Sequence, residues 1–418
     1  MNLIVLNDLR SVPILTVIKL RKCVDSSLLI AHDSIFDNAE YADFTPRVWK
    51  KCVKWFLVRF FKLHLISSSS EEVKSYSQTG LTSSLLSITE DSGANKLKYP
   101  KIYKQMENLA AGAADIVKYI SDNKKDILSI YLFNGRTASS FDITKYAVQN
   151  NITVMYYEFA GHCNGFRLFP VPPHASGSLG ELLLHYYRYG SHRLANLQAA
   201  AEKLRNDKIG SEFAIKNKSL PDKEYDVVIF IGSDFEYTSI DQDICGITWN
   251  GNPEFCKRVI EKYGDDYTYA IRCHPNSARD PNWPALYSDL TNTLASLKPV
   301  IDIYGSESTV DSHQLIRDAK FVVTDLSTIS LDAIFLGANV DIFGNTDIKY
   351  IYSDDWMCAH AFDNKSMEIS RPFALGHNFL VFRFSVTEKF LCNILYYLVR
   401  LFFKFSIWRD SVLSKNNS

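Results

Sequence analysis

Short apolar runs alternate with longer stretches of helical period along most of the chain, the pattern of parallel α/β units. Residues 3–7 read as a strand and 13–23 as a helix, with Ile14, Leu15, Ile18 and Leu20 set against Lys19, Arg21 and Lys22. Residues 27–32 read as a second strand. Helices are expected at 102–123 and from the Asn134–Ser140 turn to about 149, with strands at 127–133 and 152–157 ending at Glu158. A long helix or helix pair follows at 180–205, then a polar, lysine-rich linker at 206–224. A new alternation begins at 226. Strands are predicted at 226–231, 267–273, 300–304, 321–325 and 340–343, and helices at 252–263, 311–319 and 328–336, with Asp311 or Thr309 as one N-cap and Gly337 as a C-cap. Residues 66–100, rich in serine, read as a long loop.

Two stretches depart from this alternation. In 49–65, Lys50, Lys51, Lys54, Arg59 and Lys62 are interleaved with Trp49, Trp55, Phe56, Phe60 and Phe61. This fits either a core helix whose lysines snorkel or a helix lying on a membrane surface or lipid-linked acceptor. In 389–409, Lys389, Asn393, Arg400 and Lys404 lie near one helical stripe in an otherwise apolar run. Charge near the middle of a span costs roughly 3 kcal/mol per residue, which favours an interfacial helix over a spanning one. The other reading is a terminal helix packed on the first domain.

Composition narrows the class. A chain of 418 residues exceeds one typical core, so two domains are expected. A net charge of -1 gives no global pull toward nucleic acid. Eight scattered cysteines without a CxxC pair fit reduced thiols better than a disulfide framework or a zinc site. The start of the chain lacks the basic and long apolar regions of a signal peptide. The expected location is therefore cytoplasmic.

The candidate chemistry sits where predicted strands end. Pro275 holds His274 extended at the end of a buried strand, aiming its imidazole off the sheet edge, and alternation puts Arg272 on the same side. Ser327 and Thr328 stand at a strand-to-helix junction, where hydroxyls either cap the helix or help hold a phosphate. Asp332 lies one turn later and could accept from ribose hydroxyls. No P-loop is present, and Asp354-Asp355 reads as solvated surface, so no metal site is expected.

His274-Pro275, followed by Thr324-Asp325-Leu326-Ser327-Thr328, Asp332-Ala333 and Gly337, resembles the nucleotide-binding half of bacterial capsule and cell-wall polysaccharide transferases. These include the capsule proteins with Kdo transferase activity, two-domain sialyltransferases and teichoic-acid glycerophosphotransferases. The resemblance covers roughly residues 226–345; over the first domain it extends only to Asn134-Gly135-Arg136 and Glu158. Leu326-Ser327-Thr328 stands where the teichoic-acid enzymes tend to carry an aromatic residue and two serines.

The resemblance implies a GT-B fold: two Rossmann-like domains facing across a cleft. Residues 1–215 would bind the acceptor, 225–375 the nucleotide donor, and 376–418 would form an amphipathic helical tail. It implies a bacterial glycosyltransferase of capsule or other surface polysaccharide synthesis, peripheral on the inner face of the cytoplasmic membrane, acting by a metal-independent inverting mechanism. The donor would be a CMP-sugar of Kdo or nonulosonic type, the acceptor a glycan or lipid-linked glycan, with no cofactor beyond the donor and no nucleic acid. His274 would contact the donor phosphate or carboxylate, with Arg272 and Pro275 beside it. Ser327 and Thr328 would hold the phosphate, and Asp332 or Ser306-Glu307 the nucleoside. Glu158 is the first choice as general base, with Asp8 and His162 as alternatives. Arg136 and Arg167 could hold an anionic sugar or lipid diphosphate. Other readings are a CDP-glycerol or polyol-phosphate transferase, a UDP-sugar transferase, and a non-catalytic GT-B scaffold.

Overall fold

The computed structural model describes residues 1–9, 11–38, 47–67, 76–159, 165–173, 219–221, 223–240, 249–297, 299–325, 327, 329–344 and 382–383. Two compact units emerge. The first comprises Met1–Ser84, Tyr99–Pro173 and Leu380–Ser418; the second comprises Leu85–Lys98 and His174–Phe379.

In the first unit the elements run β1 (Asn2–Val5), α1 (Ser11–Cys23), β2 (Ser27–His32), α2 (Ser34–Asn38), α3 (Arg47–Phe61), β3 (His64–Ile66), α4 (Gln78–Thr89, shared with the second unit), α5 (Pro100–Asp122), β4 (Ser129–Phe133), α6 (Phe141–Gln149), β5 (Thr153–Phe159) and β6 (Gly165–Phe169). A short β12 (Phe382–Arg383) returns to pair antiparallel with β6. Strand order is β12-β6-β5-β4-β1-β2-β3, parallel from β5 to β3. Leu3, Ile4 and Val5 have no exposed surface, as expected of a central parallel strand covered on both faces. From β1 the chain builds outward through β2 and β3, then crosses to β4 on the other side of β1. That reversal makes the ends of β1 and β4 a topological switch point.

The second unit repeats this plan with β7 (Val227–Phe230), α7 (Asp234–Thr238), α8 (Asn252–Tyr263), β8 (Tyr269–Arg272), a 3-10 turn (Pro275–Arg279), α9 (Trp283–Ala295), β9 (Ile301–Tyr304), α10 (Ser312–Asp318), β10 (Phe321–Thr324), α11 (Ile329–Phe335) and β11 (Val340–Ile342). Its five parallel strands run β11-β10-β7-β8-β9, so the switch point lies between β7 and β10. Val227, Ile229, Tyr269, Ile271 and Val323 form its core with Phe255, Val259 and Ile260 of α8. The α/β class and the Rossmann-like strand order therefore hold in both units.

Three expectations are corrected. Residues 66–100 are not all loop, because α4 covers Gln78–Thr89. Its serines do not prevent helix formation: Leu81, Leu85 and Leu86 bury one face, and Ser84 Oγ accepts the Ala138 N–H at 2.8 Å. The stretch predicted as one helix to residue 65 ends at Phe61, and Lys62 turns left-handed (φ 52°) to start β3. Lys50 does not lie on an outer basic stripe but is buried. The predicted helices at 180–205 and 389–409, most of the 206–224 linker, and Asp354-Asp355 lie outside the described residues.

Candidate functional site

At the switch point of the second unit the chain leaves β7 through Gly232 and Ser233. A Cβ on Gly232 would lie 2.1 Å from the ring of Tyr237, so glycine is what lets this ring close over the strand end. The Tyr237 hydroxyl lies near Ser327, beyond the end of β10, so this ring spans the ends of the two strands at the point of reversal. Burial, then the charges of Glu236 and Asp325, push its phenol far up, and it stays neutral. Trp249 packs edge-on against it at 4.7 Å between ring centroids.

His274 stands beside this edge at the end of β8. Its backbone is extended (φ -66°, ψ 136°), as the following proline requires. Nδ1 accepts the Asn276 N–H at 3.1 Å and the Ser233 hydroxyl donates to it at 3.2 Å. A ring nitrogen that accepts carries no proton, so the neutral imidazole holds its proton on Nε2. Burial keeps the ring neutral by lowering its pKa, an effect the Glu236 charge opposes. Among the described residues Nε2 makes no hydrogen bond. The result is one oriented N–H donor, fixed from behind by two contacts. Asn276 Nδ2 donates to Glu236 at 3.0 Å, tying the turn to α7.

The other expected donor-side residues are placed differently. Arg272 is buried, and its guanidinium donates to the carbonyls of Cys273, Gly305 and Ser308 at 2.9, 2.6 and 3.0 Å. It braces the loop after β9 and so shapes the Ser306-Glu307 turn from within. Ser306 is buried in that turn and Glu307 exposed. Ser327 acts as a cap, its Oγ accepting the Ile329 N–H at 3.4 Å. The Asp332 carboxylate meets His313 Nε2 at 3.6 Å, and α10 is capped by Asp311 rather than Thr309. Thr328 lies outside the described residues.

Asp234 was not anticipated from sequence. Burial pushes its carboxyl up to about 6, the Asn252 amide at 2.8 Å pulls it down, and the Asp280 charge adds to the rise. In the unfolded chain the group titrates near 3.8. Between these values the folded protein binds the extra proton, so this contribution to stability falls as pH rises from about 4 to about 6 and then levels off. Above that range the buried carboxylate costs about 3 kcal/mol. Asp234→Asn should therefore raise the melting temperature more at pH 8 than at pH 4.5. Equal shifts in thermal melts at the two pH values would refute this.

The matching edge of the first unit is built on Asn7, which sequence reasoning also passed over. Its amide donates to the Phe133 carbonyl and accepts the Phe133 N–H, both at 3.2 Å, stitching the ends of β1 and β4 together. Asn134 and Gly135 follow with positive φ (59° and 86°), and Gly135 packs where a Cβ would meet the Tyr156 ring at 2.5 Å. This turn aims Asn134 Nδ2 at Glu158, 2.7 Å away. Tyr157 is fully buried, and that burial, then the charges of Asp8 and Glu158, drives its phenol far up. Asp8, Arg136 and Glu158 thus share one strand-end region. Glu158 pairs with Arg167 in the β5–β6 register. His162 lies outside the described residues.

Also on this unit, His32 Nε2 meets Asp115 at 2.9 Å, under a close approach of α5 that Gly112 permits. Both side chains are buried, and His32 Nδ1 accepts the Ser34 N–H at the start of α2. This pair fastens α5 to the end of β2.

Among the described residues no group of three or more His, Cys, Asp or Glu could hold a metal ion. The expectation of no metal overlooks Asp241-Gln242-Asp243, a DxD triplet outside the described residues.

No protein-family model matches the chain, and no curated protein matches it. Among solved structures it is similar to the KpsC β-Kdo 2,7 transferase of Thermosulfurimonas dismutans, at 15% identity over 84% of this chain and 89% of that one, with a TM-score of 0.40. The KpsC β-Kdo 2,4 transferase of the same organism shares 13% identity over 60% of this chain and 79% of that one, with a TM-score of 0.35. A UDP-GlcNAc 2-epimerase from Neisseria meningitidis, bound to UDP-GlcNAc, shares 12% identity over 90% and 97%, with a TM-score of 0.24. At TM-scores this low the likeness carries no argument, and the fold class rests on the strand order of the two units.

Proposed function

We propose that the chain is a GT-B glycosyltransferase of surface-polysaccharide synthesis, using a nucleotide-activated sugar, with a CMP-sugar as the favoured donor. The observation that carries this reading is His274. It is a neutral imidazole, locked from behind, with its N–H directed from a parallel-sheet edge next to a switch point. The motif around it supports a nucleotide phosphate as the ligand.

In this scheme the donor phosphate accepts from His274 Nε2, and Asp332 accepts from the ribose. Glu158 takes the proton of the acceptor hydroxyl as its oxygen bonds to the anomeric carbon. The bond from that carbon to the phosphate oxygen breaks, and the nucleotide leaves with the electron pair. His274 stabilises the charge gathering on the leaving phosphate, a role that needs no metal in this scheme. The acceptor is a glycan or lipid-linked glycan, which Arg136 and Arg167 would hold by its anionic groups.

The test is release of free nucleotide from CMP-, CDP- and UDP-activated donors in the presence of acceptor glycan. Glu158→Gln should slow turnover about 10²- to 10⁴-fold, the range for a lost general base, with donor affinity unchanged. Near-normal turnover in this variant would remove Glu158 as the base. Release from CDP-glycerol alone would replace sugar transfer with glycerophosphate transfer.

A further inference from the structure

Helix α3 is held in the first unit by one narrow face. Val53 and Leu57 are buried, Leu63 follows in the core, and Lys54 pairs with Asp33 at 2.8 Å. The solvent-exposed surface of the helix toward its C-terminal end is unlike the rest of the surface. Trp55 is 64% exposed, Phe60 60% and Val58 41%. Three of the large exposed apolar residues of the described chain thus fall within six positions of one helix, too dense for ordinary scattered exposure. Their rings touch: Trp55 and Phe60 stand edge to face at 5.9 Å, and Phe56 lies 5.2 Å from Phe60 and 5.6 Å from Phe61. Lys51, Arg59 and Lys62 are exposed around this aromatic ridge.

We infer that this face of α3 docks on an anionic lipid bilayer. Charge selects the partner. Lys51, Arg59 and Lys62 are exposed on this face, Lys50 being buried and Lys54 paired with Asp33, and residues 47–62 contain no Asp or Glu, in a chain whose net charge is -1. A second copy of the chain meeting this face through a two-fold axis would set the same cations against one another. An anionic headgroup layer neutralises them and accepts the aromatics at its boundary, the arrangement of an interfacial helix. No helix among the described residues is long and apolar enough to cross a membrane, so the contact is a surface one. The inference does not depend on the transfer reaction and can fail or hold apart from it.

Flotation of the full chain with phosphatidylglycerol–phosphatidylcholine vesicles, against phosphatidylcholine alone, tests it. The native chain should float with the anionic vesicles, less as salt rises. Trp55→Ser with Phe60→Ser, and separately Lys51→Glu with Arg59→Glu, should each lower the bound fraction at least about tenfold. All four positions are exposed, so folding and nucleotide binding should be unchanged. Native-like flotation of both variants would overturn the inference, as would absence of any vesicle binding. So would a native dimer in light scattering that Trp55→Ser with Phe60→Ser separates.

Discussion

Replacing His274 with alanine is expected to weaken nucleotide binding about 10- to 100-fold, the effect of losing one hydrogen bond to a charged phosphate. The magnitude follows from the ring's preparation. Ser233 and the Asn276 N–H hold Nδ1, so the Nε2–H needs no reorientation on binding. Alanine also leaves the Asn276 N–H without its acceptor, which should cost the fold about 1 kcal/mol, a loss small enough for the variant to remain folded. His274→Gln, with an amide N–H of similar reach, should recover part of the affinity. Calorimetric titration of the three proteins measures this directly. Equal affinity in His274→Ala would take the imidazole out of the site.

The second large effect is expected at Gly232, a residue that touches no ligand in this account. A methyl group there would lie only 2.1 Å from Cε2 and 2.2 Å from Cζ and the hydroxyl oxygen of Tyr237, at the strand end. The ring is buried and packed on Trp249, so it cannot simply swing aside. Overpacking of this kind costs about 1–3 kcal/mol. It would also push the Tyr237 hydroxyl away from its place beside Ser327 at the switch point. Gly232→Ala should therefore lose both thermal stability and nucleotide affinity. Adding Tyr237→Leu should restore stability but not affinity, because the smaller side chain relieves the clash and lacks the hydroxyl. If the double variant regains both, Tyr237 is a packing residue only. If Gly232→Ala is as stable as the native chain, the close approach is not a constraint.

Much of the fold is legible in the sequence because central parallel strands are apolar on both faces. Residues 27–32, 321–325 and 340–343 stand out as short β-branched or apolar runs ended by polar residues, and the strands lie there within a residue. Pattern fails where tertiary contact overrides it. The serines at 83 and 84 suggested a loop, yet both are buried in α4, and Ser84 accepts the Ala138 N–H. β6 pairs antiparallel with both β5 and β12 and has only five residues, Gly165–Phe169, which no periodicity marks.

The site divides in the same way. His274 was visible because proline fixes the residue before it and a buried strand precedes both. Its surroundings were not, since Asp234 and Tyr237 belong to a helix of only five residues beginning just after β7, with Ser233, which holds His274 Nδ1, as its N-cap residue. A Gly-Ser-Asp run following an apolar strand was the one signal that could have found them. Arg272 shows the converse. Strand alternation placed it with His274, but its guanidinium closes onto the carbonyls of the loop after β9. Asn7 could be found only through the pairing of β1 with β4, which brings together residues 126 positions apart.

The central claim is that the edge of the second sheet, at His274 and Ser233, binds a nucleotide phosphate. Calorimetric titration of the full chain with CMP, CDP and UDP, repeated on His274→Ala, tests it most directly. The account predicts saturable binding of nucleotide with a preference for cytidine, weakened about 10- to 100-fold by the substitution. Absence of binding by all three nucleotides to the native, folded chain would contradict it.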